Sequence, residues 1–166
     1  MKKFFFILLV IFSTTAYAGC DDPIGDSVDY SNCRFSEGQD LSGSYLPNSN
    51  LSFSSFIEVN FDKSIMMNSI LAFGTFPDSS FVRSNLYESN LQGANFENSN
   101  FTSSNLTRAN FSGATLIKAN FQNANLIEAD LTSSNIIEAN FEGANLSEAL
   151  WVDGRKCSVN SIGNCN

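Results

Sequence analysis

A large apolar residue falls on every fifth position of this chain from Leu41 to Trp151. All 23 of these positions carry Leu, Phe, Met, Ile or Trp, and two places before each stands Ala, Ser or Gly in 21 of them. Gln39 and Val59 are the exceptions. The residue between the small and the large one is most often Asn. A period of five matches neither the alternation of a strand nor the 3.6-residue turn of a helix. It suits a chain that turns a corner every five residues. The small and the large residue of each side then point inward. The other three, Asn included, are expected to face solvent or line the corners.

Reading every twentieth residue tests the number of sides. Leu41, Phe61, Phe81, Phe101, Phe121 and Phe141 form a nearly pure Phe column, and Leu46, Met66, Leu86, Leu106, Leu126 and Leu146 a Leu column. Leu51, Leu71 and Leu91 lead to Phe111, Leu131 and Trp151, while Phe56, Phe76 and Phe96 give way to Leu116 and Ile136. Like residues stack on like when each coil lies on the one before. Four sides per coil and about six coils follow, a rod of about 30 Å at a coil spacing near 4.8 Å. Upstream, Tyr30 and Phe35 continue the pattern with one residue inserted before Leu41. A single coil cannot bury its apolar sides, so stability comes from stacking, each buried Leu or Phe contributing roughly 1.5–3 kcal/mol.

Ala94-Asn95-Phe96-Glu97-Asn98, Ala109-Asn110-Phe111-Ser112-Gly113 and Ala129-Asp130-Leu131-Thr132-Ser133 resemble the A(D/N)LxX motif of the pentapeptide repeat family. The resemblance covers about three quarters of the chain. It implies an all-β fold, a right-handed quadrilateral parallel β-helix of about six coils. The flanking segments, with Cys-Asp-Asp-Pro before the array and Trp-Val-Asp-Gly-Arg-Lys-Cys after it, look like the caps of exported family members.

The N-terminus reads as a targeting segment. Lys2 and Lys3 precede nine consecutive apolar residues, Phe4 to Phe12, and Ala16-Tyr17-Ala18 is a small-x-small cleavage pattern. The apolar run is shorter than the roughly 20 residues that span a bilayer. The expected organisation is a signal peptide at 1–18, an N-terminal cap segment at 19–27, the repeat β-helix at 28–153 and a C-terminal cap with a cystine at 154–166. The product is expected to be exported, periplasmic or secreted from a bacterium, with no transmembrane segment after cleavage. Ala18-Gly19-Cys20 also resembles the end of a lipoprotein signal, which would anchor Cys20 to lipid. Tyr17 stands where such signals carry an aliphatic residue, and lipidation would strand Cys33. The even set Cys20, Cys33, Cys157 and Cys165 favours disulfides in an oxidising compartment. Cys20–Cys33 and Cys157–Cys165 are the simplest of the three pairings that four cysteines allow.

Charge and residue types narrow the function. The chain has 17 acidic and 9 basic residues, a net charge of −8 and no His. That argues against a basic nucleic-acid-binding surface, and His-based acid–base chemistry is ruled out. No catalytic, cofactor-binding or metal-ligating set is expected, and no cofactor. Glu88, Glu128 and Glu148 should share one side with Arg108 on the missing rung, the pattern of a solvated charged face. The sequons Asn50-Leu51-Ser52, Asn100-Phe101-Thr102, Asn105-Leu106-Thr107, Asn110-Phe111-Ser112 and Asn145-Leu146-Ser147 are accidents of the repeat. One irregular stretch stands out, because outward positions turn apolar at Phe53, Ile57, Ile65, Met67, Ile70 and Phe73. Phe53 and Phe73 lie twenty apart and should stack on adjacent coils. Ile117 and Ile137 make a smaller pair. Contiguous exposed apolar surface marks a partner site. The expected function is an exported non-catalytic scaffold or protein-interaction module, not an enzyme, with a protein partner of unknown identity. The alternative follows from the resemblance alone: some family members are acidic DNA mimics that act on a type II topoisomerase.

Overall fold

Five backbone N–H groups per repeat must each find an acceptor, and the unit around Leu106 shows how. Asn105 N–H donates to the Ser84 carbonyl one coil earlier at 2.9 Å, and Leu106 N–H to the Asn125 carbonyl one coil later at 2.7 Å. Arg108 N–H reaches the Ile127 carbonyl at 2.9 Å, and Ala109 N–H closes a turn onto the Leu106 carbonyl at 3.0 Å. The fifth, Thr107 N–H, donates to the Asn105 side-chain oxygen at 3.2 Å. No donor of the unit is left over. The structure, a computed structural model, describes residues 20–166, and the predicted signal segment at 1–18 lies outside the described residues.

Repetition of this unit builds a right-handed quadrilateral parallel β-helix. Parallel bridges link residues twenty apart, from Asp40 and Asn60 down to Asp130 and Leu150. The first two, Asp29 with Asn50 and Arg34 with Ser55, span twenty-one, because the extra residue before Leu41 is absorbed in the first coil. The sides are named here in chain order. Side A carries the column of Leu41 to Phe141, side B that of Leu46 to Leu146, side C that of Leu51 to Trp151 and side D that of Phe56 to Ile136. The two residues after each large apolar one form the corner. The second of them has a positive φ, 58° at Arg108 and 57° at Asn98, following a residue without one. That is the dihedral order of a type II turn, for which Gly or Asn is the usual choice. Here Glu, Lys, Arg and even Phe adopt it, because the coils above and below fix the corner through hydrogen bonds.

The Asn before each large residue has a larger part than its expected outward role. It is half-buried along most of the array, and its side-chain oxygen accepts the N–H two residues on, as at Asn50, Asn60, Asn95, Asn100 and Asn120. Pro47 and Pro77 have no N–H to offer. They follow Tyr45 and Thr75, two of the units that lack Asn or Asp at this place.

The core is a set of ring ladders. Phe61, Phe81, Phe101, Phe121 and Phe141 stack with centroids 4.8–5.0 Å apart. Phe56, Phe76 and Phe96 form a second ladder at 5.0–5.1 Å. The ladders meet edge to face, as between Phe81 and Phe96 at 75°, a favourable ring geometry. Where side D changes from Phe96 to Leu116, side C changes from Leu91 to Phe111. The Phe111 ring then sits edge-on to Phe96, Phe101 and Phe121. One ring leaves a side as another enters the next, so core volume is kept.

Both ends are covered. The terminal segment runs back antiparallel, pairing Leu150 with Lys156 and Asn145 with Ile162. It supplies the Ser161 carbonyl to Leu146 N–H and the Arg155 carbonyl to Trp151 N–H, both at 2.8 Å. Cys157 and Cys165 are joined in this cap, and Cys20 and Cys33 in the other. At the first coil Ser27 N–H donates to the Pro47 carbonyl at 2.9 Å, and the Tyr30 hydroxyl to the Asp22 carbonyl at 2.8 Å. Among the described residues no helix is long and apolar enough to cross a membrane.

Candidate interaction surface

The irregular stretch lies on the coils nearest the N-terminus. Phe53 and Phe73 occupy successive levels of the corner between sides C and D, 60% and 52% exposed. Their rings stack at 5.4 Å and 15°. Below them Gly93 continues the corner with φ +63°, and a Cβ there would stand 2.7 Å from the Phe73 ring. The missing side chain is what lets Phe73 lie over the next coil.

The remaining four expected residues do not join that pair on one face. Ile70 is on side C and 42% exposed. Ile65 is on side B, Met67 on the corner between B and C, and Ile57 on the corner between D and A, all half-buried. The six therefore spread around three sides. Tyr45, 54% exposed, belongs with them, since it bridges to Ile65 on side B. Its column of twenty would have revealed it. Ile24 in the N-terminal cap is also exposed.

Ile65 and Ile70 take the place of the capping Asn. The Met67 and Ala72 N–H groups consequently have no hydrogen-bond partner among the described residues. The apolar stretch thus departs from the repeat in backbone satisfaction as well as in side chains. On side A, where Ser80 stands in the capping place, the Asp62 carboxylate of the preceding coil serves instead, accepting the Val82 N–H at 3.0 Å and the Ser80 hydroxyl at 2.5 Å.

Charge is arranged by corner. Between sides B and C, Arg108 bridges Glu88 at 3.2 Å and Glu128 at 2.8 Å, and Lys156 pairs with Glu148. A hydrogen bond from Tyr87, and then Arg108, holds the Glu88 carboxyl below the usual range, while the two carboxylates raise the Arg108 guanidinium. Lys118 and Arg155 are paired as well. Lys63 and Arg83, on the corner between A and B, have no ion pair among the described residues. Neither have Glu58 and Asp78 on the corner between D and A. The sequons serve the turns: the Ser52, Thr102, Thr107 and Ser147 hydroxyls donate back to their Asn oxygens at 2.6–2.8 Å. No group of three or more His, Cys, Asp or Glu among the described residues is placed to hold a metal.

Residues 74–151 match a family model described as "Pentapeptide repeat region", and residues 40–71 one described as "Pentapeptide repeats (8 copies)". Among solved structures, a trypsin-treated variant of QnrB1, a plasmid-mediated fluoroquinolone resistance protein, aligns with TM-score 0.63 and 23% identity over 75% of this chain and 60% of that one. Full-length QnrB1 gives 0.52 and 20% over 75% and 76%. Rfr23, a pentapeptide repeat protein from the cyanobacterium Cyanothece 51142, gives 0.47 and 26% over 68% and 63%. The chain thus spans less than two thirds of the first and last of these. No curated protein matches it. At these identities the QnrB1 likeness concerns the fold alone.

Proposed function

The chain belongs to the pentapeptide repeat family, and from that premise we propose that it is an exported, non-catalytic scaffold that works as a protein-interaction module. The carrying observation is the exposed Phe53–Phe73 stack. A solenoid that buries every other Phe of its ladders keeps these two outside and clears the next coil with Gly93 to seat them. Export is supported by the N-terminal pattern at 1–18 and by two cystines, which suit an oxidising compartment. In this reading the mature chain starts at Gly19, with caps at 19–27 and 154–166 around the array.

A photo-crosslinking residue at Ile70 in cells tests the surface, with the same residue at Ser133, lower on the Phe53–Phe73 corner, as control. The expected result is an adduct at Ile70 that is absent at Ser133 and lost when Phe53→Ser and Phe73→Ser are combined. Capture that survives the double substitution overturns the reading. Intact mass of the exported protein tests the rest: a chain from Gly19 without free thiols is expected, and a diacylglycerol adduct on Cys20 would contradict it.

A further inference from the structure

We propose that the occupant of this surface is a second copy of the same chain, packed side by side, with side B of one copy against side D of the next. The inference rests on the interaction-module reading and names its partner. Three observations meet here. The first is where the apolar residues lie. Tyr45 and Ile65 stand on side B, with Met67 on its corner toward C. The opposite side, D, is bordered by Phe53 and Phe73 on one corner and by Ile57 and Pro77 on the other. Apolar groups, exposed at Tyr45, Phe53 and Phe73 and half-buried at the others, thus occur on two opposite sides of the same coils. No single partner face reaches both on one molecule, but two parallel rods bring them together.

The second observation is charge. Lys63 and Arg83 border side B on its corner toward A, and Glu58 and Asp78 border side D on its corner toward A. All four are exposed and none is in an ion pair among the described residues. The third is register. When one square rod is translated sideways onto another, the corner between A and B of one meets the corner between D and A of the next. Lys63 follows Glu58 by five residues, one side of a coil, and Arg83 follows Asp78 by the same five. The level difference is about 1.2 Å, a quarter of the 4.8 Å coil spacing. Lys63 of one copy therefore faces Glu58 of the next, and Arg83 faces Asp78. On the other edge Phe73 comes against the half-buried Met67. The side chains complementary in charge and those complementary in apolar character lie on the same coils.

The contact uses two different faces, so it is heterologous and does not close. The strip is narrow against the roughly 800 Å² per partner of a stable complex, so association is weak and rises steadily with concentration.

Sedimentation equilibrium of the full mature chain, from micromolar to millimolar concentration, tests this at one ionic strength. The wild type is expected to show a weight-average mass that climbs without a plateau at the dimer. Lys63→Glu with Arg83→Glu makes both faces acidic, and Glu58→Lys with Asp78→Lys makes both basic. Each variant alone is expected to remain monomeric, and their equimolar mixture to regain association. A misfolded variant could not produce that recovery. A monomeric wild type, association that survives either charge reversal, or a mixture that stays monomeric would overturn the proposal. A different protein captured at Ile70 alongside a monomeric wild type would sink this inference and leave the interaction-module reading intact.

Discussion

Ser64 and Ser79 fill the same small inward place on units of sides B and A, three repeats apart, yet their hydroxyls fare differently. The Ser79 hydroxyl donates to the Phe56 carbonyl at 2.8 Å and accepts the Val59 N–H at 3.1 Å. It stands in for the turn bond that Val59 N–H makes elsewhere in the repeat. The Ser64 hydroxyl is buried without a partner. Burial of an unpaired hydroxyl costs roughly 1–3 kcal/mol. Ser64→Ala is therefore expected to raise the unfolding free energy by about 1 kcal/mol, and Ser79→Ala to lower it by about 1–3 kcal/mol, leaving both backbone groups unpaired. Urea melts with unchanged slopes would measure both, and destabilisation by Ser64→Ala would contradict the account. The sequence shows both positions as small and inward, because volume follows the period. It does not show which serine replaces a turn bond, since that depends on whether each corner closes.

At the scale of coil and corner, two comparisons isolate local forces. Gly93 and Gly113 share the corner of Phe73 and have φ of +63° and +68°, but a Cβ on Gly113 meets nothing within 4 Å. Both alanine variants carry the backbone cost of a left-handed residue, about 1 kcal/mol. Gly93→Ala must in addition displace the Phe73 ring. It is expected to be the less stable of the two and to lower binding at the crosslinking site, while Gly113→Ala leaves capture unchanged. Equal effects would mean that Phe73 is not seated on Gly93. The second comparison concerns the first coil, where Asp29 and Asp40 replace the capping Asn. Their carboxylates accept the Ser31 and Ser42 N–H groups at 3.0 Å, and these bonds hold both acids below their usual range. A depressed acid stabilises the fold above its unfolded pKa, near 3.9. That contribution is lost as pH falls through the lower folded value. Amide exchange in the first coil should therefore accelerate below about pH 4 relative to the Asn-capped coils, and Asp40→Asn should reduce the effect. The four sides and the stacked Phe53–Phe73 pair were legible from the twenty-residue columns. The capping role of Asn was not, because a period reports which side chains point inward and says nothing of where the fifth N–H goes. Nor was the spread of Ile57, Ile65 and Met67 around the rod, since a cluster in sequence crosses a corner every five residues.

Across the whole molecule, the regular coils are polar rather than strongly charged on the outside. The outward rungs of sides A and B beyond the third coil are almost all Asn, and some form ladders of their own, Asn105 to Asn85 at 3.0 Å and Asn140 to Asn120 at 3.2 Å. Carboxylates on the corner between B and C alternate with cations or are paired by them, as Glu88, Arg108, Glu128 and the Glu148–Lys156 pair show. A duplex carries an unbroken charge about every 1.7 Å of its axis, whereas this rod interrupts its negative lines with neutral amides and ion pairs. The full chain's net charge of −8, which becomes −10 without Lys2 and Lys3, is shared with acidic caps, where Asp21, Asp22 and Asp26 precede the first coil. The low-identity likeness to QnrB1 concerns the path of the backbone, and a shared fold does not carry a partner from one solenoid to another. Supercoiling by a type II topoisomerase such as gyrase should accordingly be unchanged by micromolar amounts of the mature chain, with or without a quinolone. Inhibition, or protection from the drug, that disappears when Glu88 and Glu128 are replaced by Gln would establish the mimic instead and displace the scaffold reading.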